Sequence, residues 1–194
     1  MARAYNMRQR AESVEATRTQ ILEAFRELLS EKLNPDAITV EETAFRAGVS
    51  AMTVARHFRT KAALIDALEA WGRDHMAGVR SATAGDVRAA IKGLFDDYEQ
   101  SGDFFLRTQA LEHTRPRMHL WLNRGRAIHR QWVESAFAPQ LARIARTERE
   151  EVVTALAVVC EVSTWKQLRR DLGLSRRKAE SIVSRIVAAL LKEE

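Results

Sequence analysis

Residues 39–61 read TVEETAFRAGVSAMTVARHFRTK, and the fold turns on this stretch. Thr39 and Glu42 stand three apart, the capping-box spacing in which each side chain satisfies a free backbone amide at a helix start. Val40, Ala44 and Ala47 then face inward on a short helix that Gly48 stops, because glycine reaches the left-handed backbone region without steric cost. Ser50 is a good N-cap for a second short helix over residues 51–58, where Val54 and Phe58, four apart, bury together. Two short helices joined through Ala47-Gly48-Val49-Ser50 have the turn length and the glycine of a helix-turn-helix. The small Ala44 lets the helices approach, and Val49, Val54 and Phe58 fill the wedge between them.

The opposite face of the second helix offers Ala51, Met52, Thr53, Ala55, Arg56 and His57, a mixture of small, hydrogen-bonding and cationic side chains that a major groove admits. Thr39, Ser50 and Thr60 cap helix starts, whose free amides suit phosphate groups, and Lys61 adds a point charge. The expected DNA-contact set is therefore Thr39, Ser50, Ala51, Met52, Thr53, Ala55, Arg56, His57 and Lys61. The bland alternative is a helical hairpin with capped ends and no nucleic-acid role.

Working outward, Thr17 with Gln20 has the capping-box spacing, and Ile21, Leu22, Phe25, Leu28 and Leu29 form the apolar stripe of a helix that the Asn34-Pro35-Asp36 cluster ends. Thr60 caps a longer helix through Leu64, Ile65, Leu68 and Trp71. The small, polar run 78–85 reads as a connection, and further helices are expected at 86–100, 103–113, 116–137, 148–172 and 175–192. Strand-like alternation of useful length is absent, so the expected fold class is all-α, with about nine helices. The expected organisation is a flexible arm over 1–16, a three-helix DNA-binding domain over 17–77 with its motif at about 39–58, and a second helical domain over 86–194.

Composition narrows the function classes. With 194 residues, 46% hydrophobic and 29% charged, the chain is long enough to bury a sizeable core. Net charge is +5, which fits a polyanion partner, yet residues 1–75 hold eleven basic and eleven acidic residues. Arg46, Arg56, Arg59 and Lys61 nevertheless form a local basic patch over the motif. Cys160 is the single cysteine and cannot close an internal disulfide; its apolar helical setting suits a packed residue rather than a reactive thiol. No secretion signal precedes the helices, and the longest apolar run, 155–160, is far short of the ~20 residues a bilayer needs. A cytoplasmic protein without a membrane partner is expected. His113, His119 and His129 lack metal-ligand spacing, and neither a nucleophile with its base, a phosphate-cradling glycine loop nor paired catalytic carboxylates stands out, so no enzyme, cofactor or metal is expected.

The order of elements resembles the TetR family of transcriptional regulators over nearly the full length, most strongly over residues 17–71. Thr17-Arg18 opens the helix ahead of the motif. Thr39, Val40, Ala44, Ala47-Gly48-Val49-Ser50, Thr53, the pair His57-Phe58 and Lys61 follow the family pattern in order. Residues 164–174, TWKQLRRDLGL, look like the last helices of actinobacterial-type members. Three positions depart. Ala55 stands where the family usually has an aromatic residue, Thr43 where it prefers an aliphatic one, and Phe45 where it is commonly polar, which suggests that Phe45 packs in place of Thr43.

The resemblance implies a homodimer that binds double-stranded DNA as a ligand-responsive repressor, with residues 86–194 supplying a ligand-binding and dimerisation domain. The sequence is compatible. Ile182, Val183, Ile186, Val187 and Leu190 make a broad apolar stripe for a dimer face, with intramolecular core as the alternative. Trp121 and Trp132 could line a pocket in which His113, Arg124 or His129 receives a polar or anionic inducer, against the alternative of core tryptophans and solvated arginines. The rivals for the whole chain are a ligand-independent architectural DNA binder and a helical protein-interaction module.

Overall fold

A computed structural model describes residues 2–114 and 116–192. Among the described residues it is all-helical, without a strand, and it divides into two compact units, residues 1–74 and 75–194.

The first unit holds α1 (Ala2–Lys32), α2 (Val40–Arg46), α3 (Ala51–His57) and most of α4 (Lys61–Val79). Residues 2–16, expected as a flexible arm, are helical and continuous with the rest of α1. Thr17 accordingly caps nothing: its hydroxyl donates to the Ser13 carbonyl one turn back, 2.9 Å away. From Ile21 onward α1 buries Ile21, Leu22, Phe25, Leu28 and Leu29, the stripe legible in sequence. Leu33 then turns left-handed at φ 51°, and Asn34 caps the 3-10 turn Pro35–Ala37 by accepting from the Asp36 amide.

Helices α2 and α3 have seven residues each, too short to persist alone, since isolated helices under about 12–15 residues are marginal in water. Their ends and their buried faces hold them. Thr39 and Glu42 form the reciprocal capping box, the Thr39 amide donating to the Glu42 carboxylate at 2.9 Å and the Glu42 amide to the Thr39 hydroxyl at 3.1 Å. Gly48, at φ +67°, closes α2 while the Gly48 amide donates to the Phe45 carbonyl and the Val49 amide to the Ala44 carbonyl, the two bonds of a Schellman turn. Ser50 accepts from the Thr53 amide at the start of α3, and Val54 and Phe58 are 1% and 6% exposed.

The second unit contains α5 (Val87–Gln109), α6 (Pro116–Ala136), α7 (Ala138–Leu141), α8 (Arg146–Val159), α9 (Val162–Lys166) and α10 (Arg176–Leu190). The expected boundary at 78–85 thus falls later than the division after Asp74. The close approach explains why Val79 and Arg80 go with the second unit: a Cβ on Gly93 would lie 2.9 Å from the Val79 carbonyl oxygen. Helix α5 is one helix where a break near residues 101–102 was expected. Gly102 is there for space, because a Cβ would meet the Trp165 ring at 2.6 Å. The single helix expected over 148–172 instead bends at Cys160-Glu161, where Glu161 caps α9, and widens into a π-type turn over Gln167–Asp171. That segment sends Arg169 to Glu99 and Arg170 to Asp103 of α5, so ion pairs fasten it to the longest helix of the unit.

The core of this unit encloses a charged group. Arg80, 4% exposed, pairs with the equally buried Asp97 at 2.6 Å and lies over the rings of Tyr98 and Trp132 at 4.9 and 5.3 Å. Its remaining nitrogen lies 3.2 Å from His129 Nδ1, and His129 Nε2 lies 3.1 Å from the Ala157 carbonyl. Arginine can only donate and a carbonyl can only accept, so His129 carries its proton on Nε2 and is neutral. Burial, the largest effect, and the Arg80 charge together push its pKa down to about 4.

The sign follows. A histidine near 6.5 in the unfolded chain binds its proton before the folded one does, so its contribution is complete above about pH 6.5 and is lost as pH falls toward 4. The contribution is on the order of 3 kcal/mol. Titration of the His129 imidazole by NMR is expected to give a midpoint below 5, whereas a midpoint near 6.5 contradicts the buried arrangement.

Candidate nucleic-acid interface

Burial of Val54 and Phe58 fixes which side of α3 faces out. Met52 is 79% exposed, Ala55 and Arg56 are exposed, and Ala51, Thr53 and His57 are half-buried. The His57 ring lies 6.3 Å from that of Phe58. Arg18 of α1 lies over the Phe58 ring at 5.3 Å from its centroid, so α1 also contacts this aromatic. Thr53 is engaged twice at the cap, its amide donating to Ser50 at 3.1 Å and its hydroxyl 2.9 Å from the Ser50 hydroxyl. Thr39, Ser50 and Thr60 cap α2, α3 and α4 respectively, the last through the Ala63 amide at 3.1 Å.

The local basic patch is smaller than its sequence suggests. Arg46 turns toward α1 and is bound by both carboxylate oxygens of Glu31, at 2.9 and 3.1 Å, and by Glu27 at 3.3 Å. The Arg46 guanidinium holds the Glu31 carboxyl below the usual carboxylate range. Lys61 donates to the Asp36 carbonyl at 2.7 Å and so ties α4 to the 3-10 turn. Arg56 and Arg59 remain exposed, with no ion pair among the described residues. Phe45 does not pack in place of Thr43. Thr43 is itself fully buried, its hydroxyl donating to the Thr39 carbonyl at 2.9 Å, and Phe45 is 90% exposed on the far side of α2.

The residues expected to meet a ligand do not form one group. His129 and Trp132 come together around Arg80, and Trp132 also donates to the Arg80 carbonyl at 3.4 Å. Trp121 belongs to a different cluster, with Phe104 and Phe105 at 5.8 and 6.3 Å. His113 and Arg124 are exposed. The buried pair Arg80 and Asp97, with Tyr98, was missed from sequence. The one signal was Arg80, an arginine near the start of the small, polar run 78–85.

The apolar stripe of α10 splits in the same way. Val183 and Val187, at 1% and 0% exposure, lie inside their own chain and are not available to a partner, which corrects their place in a dimer face. A stripe broad enough for two contacts does not by itself say which residues each contact takes. Ile182 and Leu190 sit half-buried at the rim of that core, and Ile186 is 42% exposed. Helix α8 carries a second exposed aliphatic residue, Val158, at 64%.

Among the described residues no helix is long and apolar enough to cross a membrane, and no group of three or more His, Cys, Asp or Glu residues could hold a metal ion. Cys160 is buried, and burial pushes its thiol up to about 12.

Comparison with known proteins bears on both units. The chain is similar to Salmonella enterica GusR, with a TM-score of 0.68 at 16% identity over 91% of this chain and 96% of that one. It is also similar to a tetR-family transcriptional regulator from Streptomyces coelicolor, with a TM-score of 0.61 at 21% identity over 91% of this chain and 80% of that one. A Rhodococcus sp. protein assigned to the same family gives 0.65 at 16% identity, over 91% and 99% of the two chains. These likenesses concern the fold. No curated protein sequence matches the chain. Residues 21–68, the segment from the buried stripe of α1 through the two short helices into α4, match the family of bacterial regulatory proteins known as the tetR family.

Proposed function

We propose that this protein is a sequence-specific DNA-binding transcriptional regulator, a ligand-responsive repressor that acts as a homodimer on a palindromic operator in the cytoplasm. The observation that carries the reading is the exposed face of α3, which keeps Met52, Ala55 and Arg56 in solvent while Val54 and Phe58 anchor the helix behind them. The family match over residues 21–68 supports it. In this reading Ala51, Met52, Ala55 and Arg56 meet base edges, while Thr39, Ser50, Thr53, His57 and Lys61 position the helices on the backbone. The first unit is the DNA-binding domain, and residues 86–194 bind an inducer and a second copy. Of the ligand candidates His113, Trp121, Arg124, His129 and Trp132, Trp121 stands in an aromatic group with Phe104 and Phe105 that would stack a ligand ring, while His129 and Trp132 are engaged by Arg80. The segment 164–174 suggests an actinobacterial-type member of the family.

Two copies would present their α3 helices to successive major grooves about 34 Å apart. Occupying a promoter would block transcription. An inducer that bound a dimer of different helix spacing more tightly would release the DNA, to the extent of its differential affinity for the two shapes.

Purified protein mixed with genomic fragments and excess random DNA at moderate salt is expected to retain a small set of fragments. Their affinity should exceed that for random sequence by about 1,000-fold or more. Equal retention of all fragments would instead support an architectural binder, and no retention a protein-interaction module.

For the dimer, Ile186 and Val158 are the exposed aliphatic residues of α10 and α8. Sedimentation should find a dimer that Ile186→Glu converts to a monomer with the same helical circular dichroism and a lower melting temperature that no longer depends on protein concentration. A wild-type monomer would contradict the homodimer, and a dimer that survives this change would place the interface elsewhere.

A further inference from the structure

Resting on the reading above, we infer that base recognition is divided between two side chains, Arg56 for a guanine and Met52 for a thymine methyl group one or two base pairs away. The two residues are four apart on α3, so they share one face, and that face lies opposite the buried Val54 and Phe58. Other side chains near them are either too short to reach as far as Met52 and Arg56 or engaged. Ala51 and Ala55 carry no hydrogen-bonding group. The Thr53 hydroxyl is held by Ser50 at the cap, and His57 is half-buried against the Phe58 edge of the helix.

One hydrogen-bonding head therefore remains on the outward face. Arg56 is exposed and makes no ion pair among the described residues, unlike Arg46, which Glu27 and Glu31 hold against α1. A guanidinium pairs in bidentate fashion with the O6 and N7 acceptors of guanine and finds no equivalent pair on the other bases. Met52, at 79% exposure, is an apolar and adaptable side chain with nothing in its own fold to cover it. The apolar group that a major groove offers is the thymine methyl. Four helical residues rise about 6 Å, against about 3.4 Å per base-pair step, which sets the one-or-two-step separation of the two bases. Arg59 lies beyond the end of α3 and serves as a backbone cation without base preference.

The test is selection of binding sites from random duplexes by the full chain, followed by competition measurements on single-base variants of the selected site. Replacing the contacted guanine is expected to weaken wild-type binding by about 5- to 150-fold, and Arg56→Ala should reduce that discrimination to about twofold or less. Replacing the contacted thymine by deoxyuridine removes only a methyl group and should cost about fourfold in the wild type and nothing in Met52→Ala. Arg59→Ala should weaken binding to all duplexes alike and leave both preferences intact. Both target side chains are exposed, so the variants are expected to melt like the wild type by circular dichroism.

A selected site whose guanine preference survives Arg56→Ala, or in which no thymine responds to deoxyuridine, overturns the division of labour while leaving the regulator reading intact. Selection that yields no preferred sequence overturns both.

Discussion

The left-handed turn at Gly48 is the constraint on which the DNA-binding half of the molecule depends. It ends α2 after seven residues, returns the Gly48 and Val49 amides to the Phe45 and Ala44 carbonyls, and starts α3 in a new direction three residues later. Neither short helix has enough internal hydrogen bonds to stand alone. What stabilises them is burial, with Val54 and Phe58 each contributing roughly 1.5–3 kcal/mol, and the caps at Thr39 and Ser50, each contributing about 1 kcal/mol. Because the same burial fixes the rotation of α3, the face it shows to solvent is decided by packing and not by the residues on that face. Those residues are then free to vary with the sequence to be read.

Electrostatics refines this picture. The first unit is formally neutral, and three of its acidic side chains tie α1 to α2: Glu27 and Glu31 of α1 take Arg46, and Glu42 of α2 takes Lys32 at 2.6 Å. Among the cations of residues 46–61, Arg56 and Arg59 keep exposed heads, at the end of α3 and just beyond it. A count of charge along the chain misses this arrangement, because the pairs join residues 10 to 19 positions apart. In the second unit a comparable pairing goes into the core. Arg80 is buried with Asp97, Tyr98, His129 and Trp132, and removing one member of such a pair typically costs about 3–5 kcal/mol because the other charge is stranded.

Around the motif the local signals were legible in the sequence, whereas the Thr17-Gln20 spacing marked no helix start and long-range contacts were not legible. The capping box at Thr39, the cap at Ser50, the stop at Gly48 and the apolar stripes of α1 and α3 each depend on residues within eight positions of one another, and each is present. Ser101-Gly102 read as a break because glycine usually weakens a helix, but here it makes room for Trp165, more than sixty residues away. The kink at Cys160 and the fate of Val183 and Val187 likewise depend on which helices meet. The same limitation scattered the expected ligand residues. His129 and Trp132 have chemistry suited to a ligand, and their own fold uses it on Arg80.

The central claim is that α3, held out by the Gly48 turn, is the surface that enters the duplex. Backbone amide NMR of the full chain, followed as a selected DNA duplex is added, tests it directly. The largest shifts are expected at Met52, Ala55 and Arg56, with Val54 and the core of α5 little changed. Shifts confined to the second unit, with α3 unmoved at saturation, would contradict it.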